Sequence, residues 1–148
     1  MTMVEPDSRL VLLRAAHEAD ADTSGAAARA RVAEVRLLHA SGGLRSPAEH
    51  VHAARILVDS EVAADVELAQ AILLALLSKE PTARPLAATA FDRLRLLAGT
   101  PQKFGTQFVM RDGHRQPWPV EPMTTDSERA KWGLPPLAEL LLRGLGPR

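Results

Sequence analysis

The residues best suited to chemistry lie within and just before one short segment of the second half of the chain. Asp92 and Arg93 come first, followed by Gln102, Thr106 and Gln107 in the run Gly99-Thr100-Pro101-Gln102-Lys103-Phe104-Gly105-Thr106-Gln107. Arginine presents a planar fork of donors that holds a buried carboxylate, a set of loop carbonyls or an anionic ligand. Two glutamines and a threonine around a glycine are neutral donors and acceptors, suited either to fixing an irregular backbone or to orienting a polar ligand without charge. Neither glutamine is a general base, so any acid-base step has to run through a carboxylate or a histidine. Asp59 and Asp92 are the candidate catalytic groups, with Glu61 beside the first, and the glutamines would then stabilise developing charge.

Other chemical patterns are weaker. Glu49 and His52 have the Glu-x-x-His spacing used by di-iron bundles, but that site needs a second such pair and two more carboxylates, and no other Glu-x-x-His occurs. Glu49 has a simpler reading as a partner of the Ser46 helix cap. His50 falls on the apolar arc of Pro47, Val51, Ala54 and Leu57 and reads as a satisfied interior histidine; His17, His39 and His114 are expected near solvent. There is no HExxH, no phosphate-binding glycine loop, no GxSxG and no zinc pattern, so neither metal nor cofactor is expected. Trp118 and Trp132 are read as covers of the core.

Composition narrows the class. Lys+Arg 18 against Asp+Glu 18 gives zero formal charge, which argues against nonspecific binding to nucleic acid or an anionic membrane surface. The absence of cysteine excludes disulfides, thiolate ligands and a cysteine nucleophile. The first twenty residues lack a basic region followed by a long apolar stretch, and the longest apolar candidate, Ala69 to Leu77, falls short of the about eighteen residues a span requires. A cytoplasmic location follows as the expectation. Abundant alanine, and arginine in preference to lysine, suggest a GC-rich bacterial genome.

The elements that must position these residues are mostly helices, since alanine and leucine dominate the 46% hydrophobic content and aromatic residues amount to 3%. Asp7 or Ser8 is placed to cap a first helix to about Ala19, and a second runs from about Ser24 to Ala40. Ser46, Pro47 and Glu49 open a third, to about Val58. Val62, Val66, Ala69, Leu73, Leu76 and Leu77 mark a fourth, and, after a loop bracketed by Pro81 and Pro85, Leu86, Ala90, Leu94 and Leu97 mark a fifth that stops at Gly99. Arg111-Asp112-Gly113-His114 predicts a short hairpin turn. Thr125 with Glu128 opens a helix closed by Gly133, and a last helix runs from about Pro135 to Arg143 before Gly144. The expected fold is mainly α: a compact single-domain bundle of five to seven helices with one small β-hairpin, residues 102–107 lying against helices three to five.

The GxxQxFGTQ segment, the preceding Asp92-Arg93 and the later Arg129, Gly133 and Leu134, continued by Pro136-Leu137, resemble an uncharacterised bacterial family of domains of unknown function marked by DR, GxxQx(Y/F)GTQ and RxxxGL. The resemblance covers about Ser46 to Leu140, leaving the helices of 1–45 as the variable part. Family members tend to carry Gln-His-Ala-Asp at the end of the third helix, where this chain reads Asp59-Ser60-Glu61-Val62. The resemblance implies a fold and no activity. Two functions stay open. One is a cofactor-independent protein that binds a small organic molecule in a cleft lined by Arg93, Gln102, Thr106 and Gln107, with acid-base chemistry at Asp59 or Asp92 and a role in specialised metabolism. The other is a noncatalytic interaction or homodimerisation module in which those residues are structural.

Overall fold

The computed structural model describes the backbone of residues 6–19 and 25–145, and the side chains of these from residue 13 onward. Among the described residues the chain forms α1 (Pro6–Ala19), α2 (Ala26–Ala40), α3 (Pro47–Leu57), α4 (Ala63–Leu74) and α5 (Ala83–Leu97). It continues with β1 (Phe108–Arg111), β2 (His114–Pro117), α6 (Asp126–Lys131) and α7 (Leu137–Leu145). The fold is therefore mainly α with one small antiparallel hairpin. No described helix is long and apolar enough to cross a membrane.

The helix ends follow local chemistry. Ser46 accepts the Glu49 backbone N–H at 3.1 Å, while the Glu49 carboxylate returns to the N–H of Arg45 at 3.4 Å, so the capping box closes one residue before the cap. Thr125 accepts from Glu128 N at 3.1 Å, and its box stays half-made because the Glu128 side chain pairs with Lys103 instead. Gly99 (φ 75°) and Gly133 (φ 70°) close α5 and α6 in the left-handed conformation expected of them. In the hairpin Arg111 pairs with His114, and Asp112 (φ 53°) and Gly113 (φ 77°) form the two-residue turn whose twist suits paired strands.

Four local expectations shift. Asp7 and Ser8 lie inside α1, not at its cap. Pro85 lies within the first turn of α5, not in the loop before it; there its missing N–H breaks no helical hydrogen bond, since the first four N–H groups have no partner within the helix. α7 starts later than expected and carries Gly144 inside it. The 102–107 segment leans on α5 and α6, through Asp92 and Arg129, where α3 to α5 were expected.

Two apolar clusters hold the molecule together. The larger draws on α1 to α5, with Val35, Ile56, Leu57, Val66 and Leu73 fully enclosed. The smaller consists of Ala88, Phe104 and Leu134 with Phe91 and Leu140 against them. Trp132 packs on both clusters, and Phe104 meets Phe91 and Trp132 with ring centroids 6.1 Å apart in each pair.

α7 reaches this second cluster through close contacts at two glycines. A Cβ on Gly105, which has φ 109°, would lie 2.6 Å from Leu137 Cδ1, and a Cβ on Gly144 would lie 1.8 Å from Phe108 Cζ. Helix propensity alone predicts that Gly144→Ala gains about 1 kcal/mol. The contact with Phe108 reverses that sign: thermal melting should show Gly144→Ala below the wild type, and hydrogen exchange should show faster exchange confined to α7 and the hairpin. A melting point raised by alanine would contradict this packing.

Candidate functional site

Asp92 and Arg93 are neighbours on α5 that serve opposite sides of it. Asp92 is completely buried. Its Oδ1 accepts the backbone N–H groups of Lys103 (2.8 Å) and Phe104 (2.9 Å). Its Oδ2 accepts those of Gly105 and Thr106 (3.1 Å each) and the Thr106 hydroxyl (2.7 Å). Four successive N–H groups wrapped around an oxyanion form the concave nest by which many proteins bind free anions. Here the anion is the chain's own carboxylate.

Gln102 is equally buried and equally engaged. Its Oε1 accepts Gln107 N at 2.8 Å, and its Nε2 donates to the carbonyls of Gln107 (2.9 Å) and Trp118 (2.7 Å). Its own backbone donates to Pro119 O and accepts from Glu121 N, a single bridge beside Val120. Gln107 is half-buried, and among the described residues its side-chain amide meets only Thr106, at 3.5 Å. Arg129, 2% exposed, completes the arrangement from α6 by donating to Phe104 O (2.7 Å), Thr124 O (3.0 Å) and Asp126 Oδ1 (3.1 Å).

Arg93 turns to the corner between α3 and α4, where it donates to Ser60 O (3.1 Å) and Asp59 O (3.3 Å). Burial lowers its pKa from the ordinary arginine value, opposed by the nearby carboxylates of Asp59 and Glu61. Asp59 lies at the same corner, with its Oδ2 2.8 Å from Nε2 of His17. His17, expected near solvent, is 5% exposed, because α1 lays it over the end of α3. Arg31 Nε, which can only donate, faces His17 Nδ1 at 3.4 Å, so the ring proton belongs on Nε2, towards Asp59. A histidine that relays protons needs one nitrogen for its orienting carboxylate and one for the reacting group. Both nitrogens of His17 are engaged within the protein.

The expected site residues therefore do not converge. Asp92, Gln102 and Thr106 surround one internal loop, Arg93 and Asp59 hold a helix corner, and Gln107 is the amide least committed to the main chain. Thr106 borders a hollow of about 290 Å³ with Phe108, Arg115 and Arg143, but its hydroxyl is turned to Asp92. His17 was not expected to be buried, because a histidine bridging separate helices leaves no spacing pattern in the sequence; Arg129 stood out only as the arginine of the RxxxGL stretch, with no role attached.

A larger hollow lies elsewhere. A cleft of about 560 Å³ opens between the end of α2, the start of α3, and α4 with the turn that follows it. Its lining comprises His39, Arg45, Pro47 and His50 on one side and Leu68, Ala71, Ile72, Ala75, Leu76 and Lys79 on the other. The second group recurs at three- and four-residue spacing, which a helix turns into a single stripe. Ile72 and Leu76 are buried, whereas Arg45, Ala71, Ala75 and Lys79 are exposed.

If the carboxylate nest is structural, Asp92→Asn should be severe, since an amide places its own N–H groups against donors and leaves buried N–H groups without an acceptor. Circular dichroism melting should show a loss of about 3 kcal/mol or more, with the midpoint lowered by on the order of 10 °C. A melting point within a degree or two of wild type would remove the nest from the stability argument. In comparisons with known proteins, no protein-family model, no curated protein and no solved structure matches this chain.

Proposed function

We propose that the protein is a noncatalytic receptor for a small organic molecule, held in the cleft between α2, α3 and α4, with the segment around Gln102–Gln107 serving as scaffold. The observation that carries this reading is the construction of the cleft. At about 560 Å³ it falls within the span of roughly 300–1,000 Å³ characteristic of small-molecule sites, and it joins an apolar wall to a few polar groups. The apolar stripe of α4 gives a ligand somewhere to bury surface, and the side chains opposite fix its orientation. The Asp92 nest supports the noncatalytic part of the proposal, because a carboxylate already accepting five hydrogen bonds is a poor base for a substrate.

Nuclear magnetic resonance with a library of neutral and charged fragments tests this directly. Amide shifts should cluster at His39, Arg45, His50, Ala71 and Ala75. Ala71→Trp, which fills the cleft from an exposed position, should abolish them at an unchanged melting temperature. Shifts that instead gather on residues 102–107 would return the site to the glutamine segment.

A second reading, self-association, is favoured by one observation. Ala138, Leu142 and Leu145 form an outer stripe on α7, with Leu142 73% and Leu145 52% exposed. Two copies could cover these stripes against each other. Sedimentation at rising concentration should then show a dimer that Leu142→Glu converts to monomer; a wild-type monomer throughout would dismiss this reading.

A further inference from the structure

We infer that the ligand of the α2–α3–α4 cleft is an organic anion with an apolar body, a monocarboxylate carrying an alkyl or aryl tail. This rests on the reading of that cleft as the binding site and adds the chemical class of its occupant.

The charge in the lining is one-sided. Its titratable members are His39, Arg45, His50 and Lys79, and no aspartate or glutamate is among its lining residues. Several basic side chains outside the cleft do meet an acid: Arg14 meets Glu18, Arg36 meets Asp65, Lys103 meets Glu128 and Arg143 meets Glu139. Among the described residues neither Arg45 nor Lys79 has a carboxylate within ion-pair distance. The acids nearest in sequence are Glu49, which is buried and accepts the Arg45 backbone N–H, and Glu80, half-buried next to Lys79 and outside the cleft lining. In a chain of zero formal charge, this gives the rim of the cleft a local positive potential.

The polar atoms and the apolar wall together narrow the class. The His50 Nδ1 lies 2.8 Å from Ser46 O, and since a carbonyl only accepts, that nitrogen carries the proton and donates to the cap of α3, which leaves Arg45 and Lys79 as the groups that meet an anion. The positive character comes from side chains, because the start of α3 is already closed by the Ser46 cap and by Pro47, which has no N–H. Inorganic phosphate would meet these charges but leave Leu68, Ile72 and Leu76 without a contact. A neutral alkane or alcohol would cover the stripe and leave two cations unmatched. A carboxylate with a tail satisfies both walls, its head at Arg45 and Lys79 and its body along α4.

Isothermal titration calorimetry of the full chain with sodium octanoate, 1-octanol, octylamine and inorganic phosphate tests the assignment. Octanoate should bind one to one and about tenfold or more tighter than octanol, with octylamine and phosphate giving no saturable heat. Arg45→Ala combined with Lys79→Ala, both at exposed positions, should lower the octanoate affinity by about tenfold or more while leaving octanol binding and the melting temperature unchanged. Octanol binding as tightly as octanoate, or a double variant that keeps full octanoate affinity, overturns the inference while the cleft stands as a receptor for neutral molecules. Phosphate binding without octanoate binding overturns it as well. If no probe binds and no fragment maps to the cleft, the receptor reading falls with it.

Discussion

The second half of the molecule depends on one buried carboxylate. The backbone from Lys103 to Thr106 is neither helix nor strand, and an irregular segment inside a protein is tolerated only where its N–H and C=O groups find partners. Asp92 supplies acceptors for four consecutive N–H groups, Arg129 supplies donors to Phe104 O and Thr124 O, and Gln102 stands in for a paired strand residue opposite Gln107. Phe104, held in this way, becomes the centre of the smaller apolar cluster. The hairpin follows from the same loop, because Gln102 also reaches Trp118 O and Trp118 N returns to Gln107 O.

Much of this was legible in the sequence wherever the signal was local. The Ser46 and Thr125 caps, the glycines that end α5 and α6, and the Asp-Gly turn all act within a few residues, and the structure contains each of them. The destination of each side chain was not legible. Asp92 meets residues eleven to fourteen positions later, Arg93 meets a corner more than thirty positions earlier, and His17 meets Asp59 across 42 positions. Such partners depend on how helices pack, which periodicity does not encode. Gly144 illustrates a local rule overridden by packing: a residue type that ends helices sits within one because Phe108 needs the space.

The candidate cleft was invisible for a related reason. His39, Arg45, His50 and Lys79 form no motif, and they meet only because α2, α3 and α4 bring a helix end, a helix start and a turn together. The amides that look most functional in the sequence are those that secure backbone, whereas ordinary surface cations define the hollow. Polar residue types that suit ligand binding equally suit the internal solvation of a loop, and only the third dimension separates the two uses.

Trp132 packs on both apolar clusters, and α5 sends Asp92 to one side and Arg93 to the other. The two halves are thus joined along α5, whose Ala83, Ala87 and Ala90 pack on the larger cluster and whose Ala88 and Phe91 pack on the smaller, and by the Trp132 indole. Such an arrangement favours hierarchical opening: the C-terminal elements can come away as one cooperative unit while the larger helical assembly persists, as subglobal unfolding does in proteins built from unequal layers. The chain would then have an intermediate rung of order between native and denatured, with its division falling along α5.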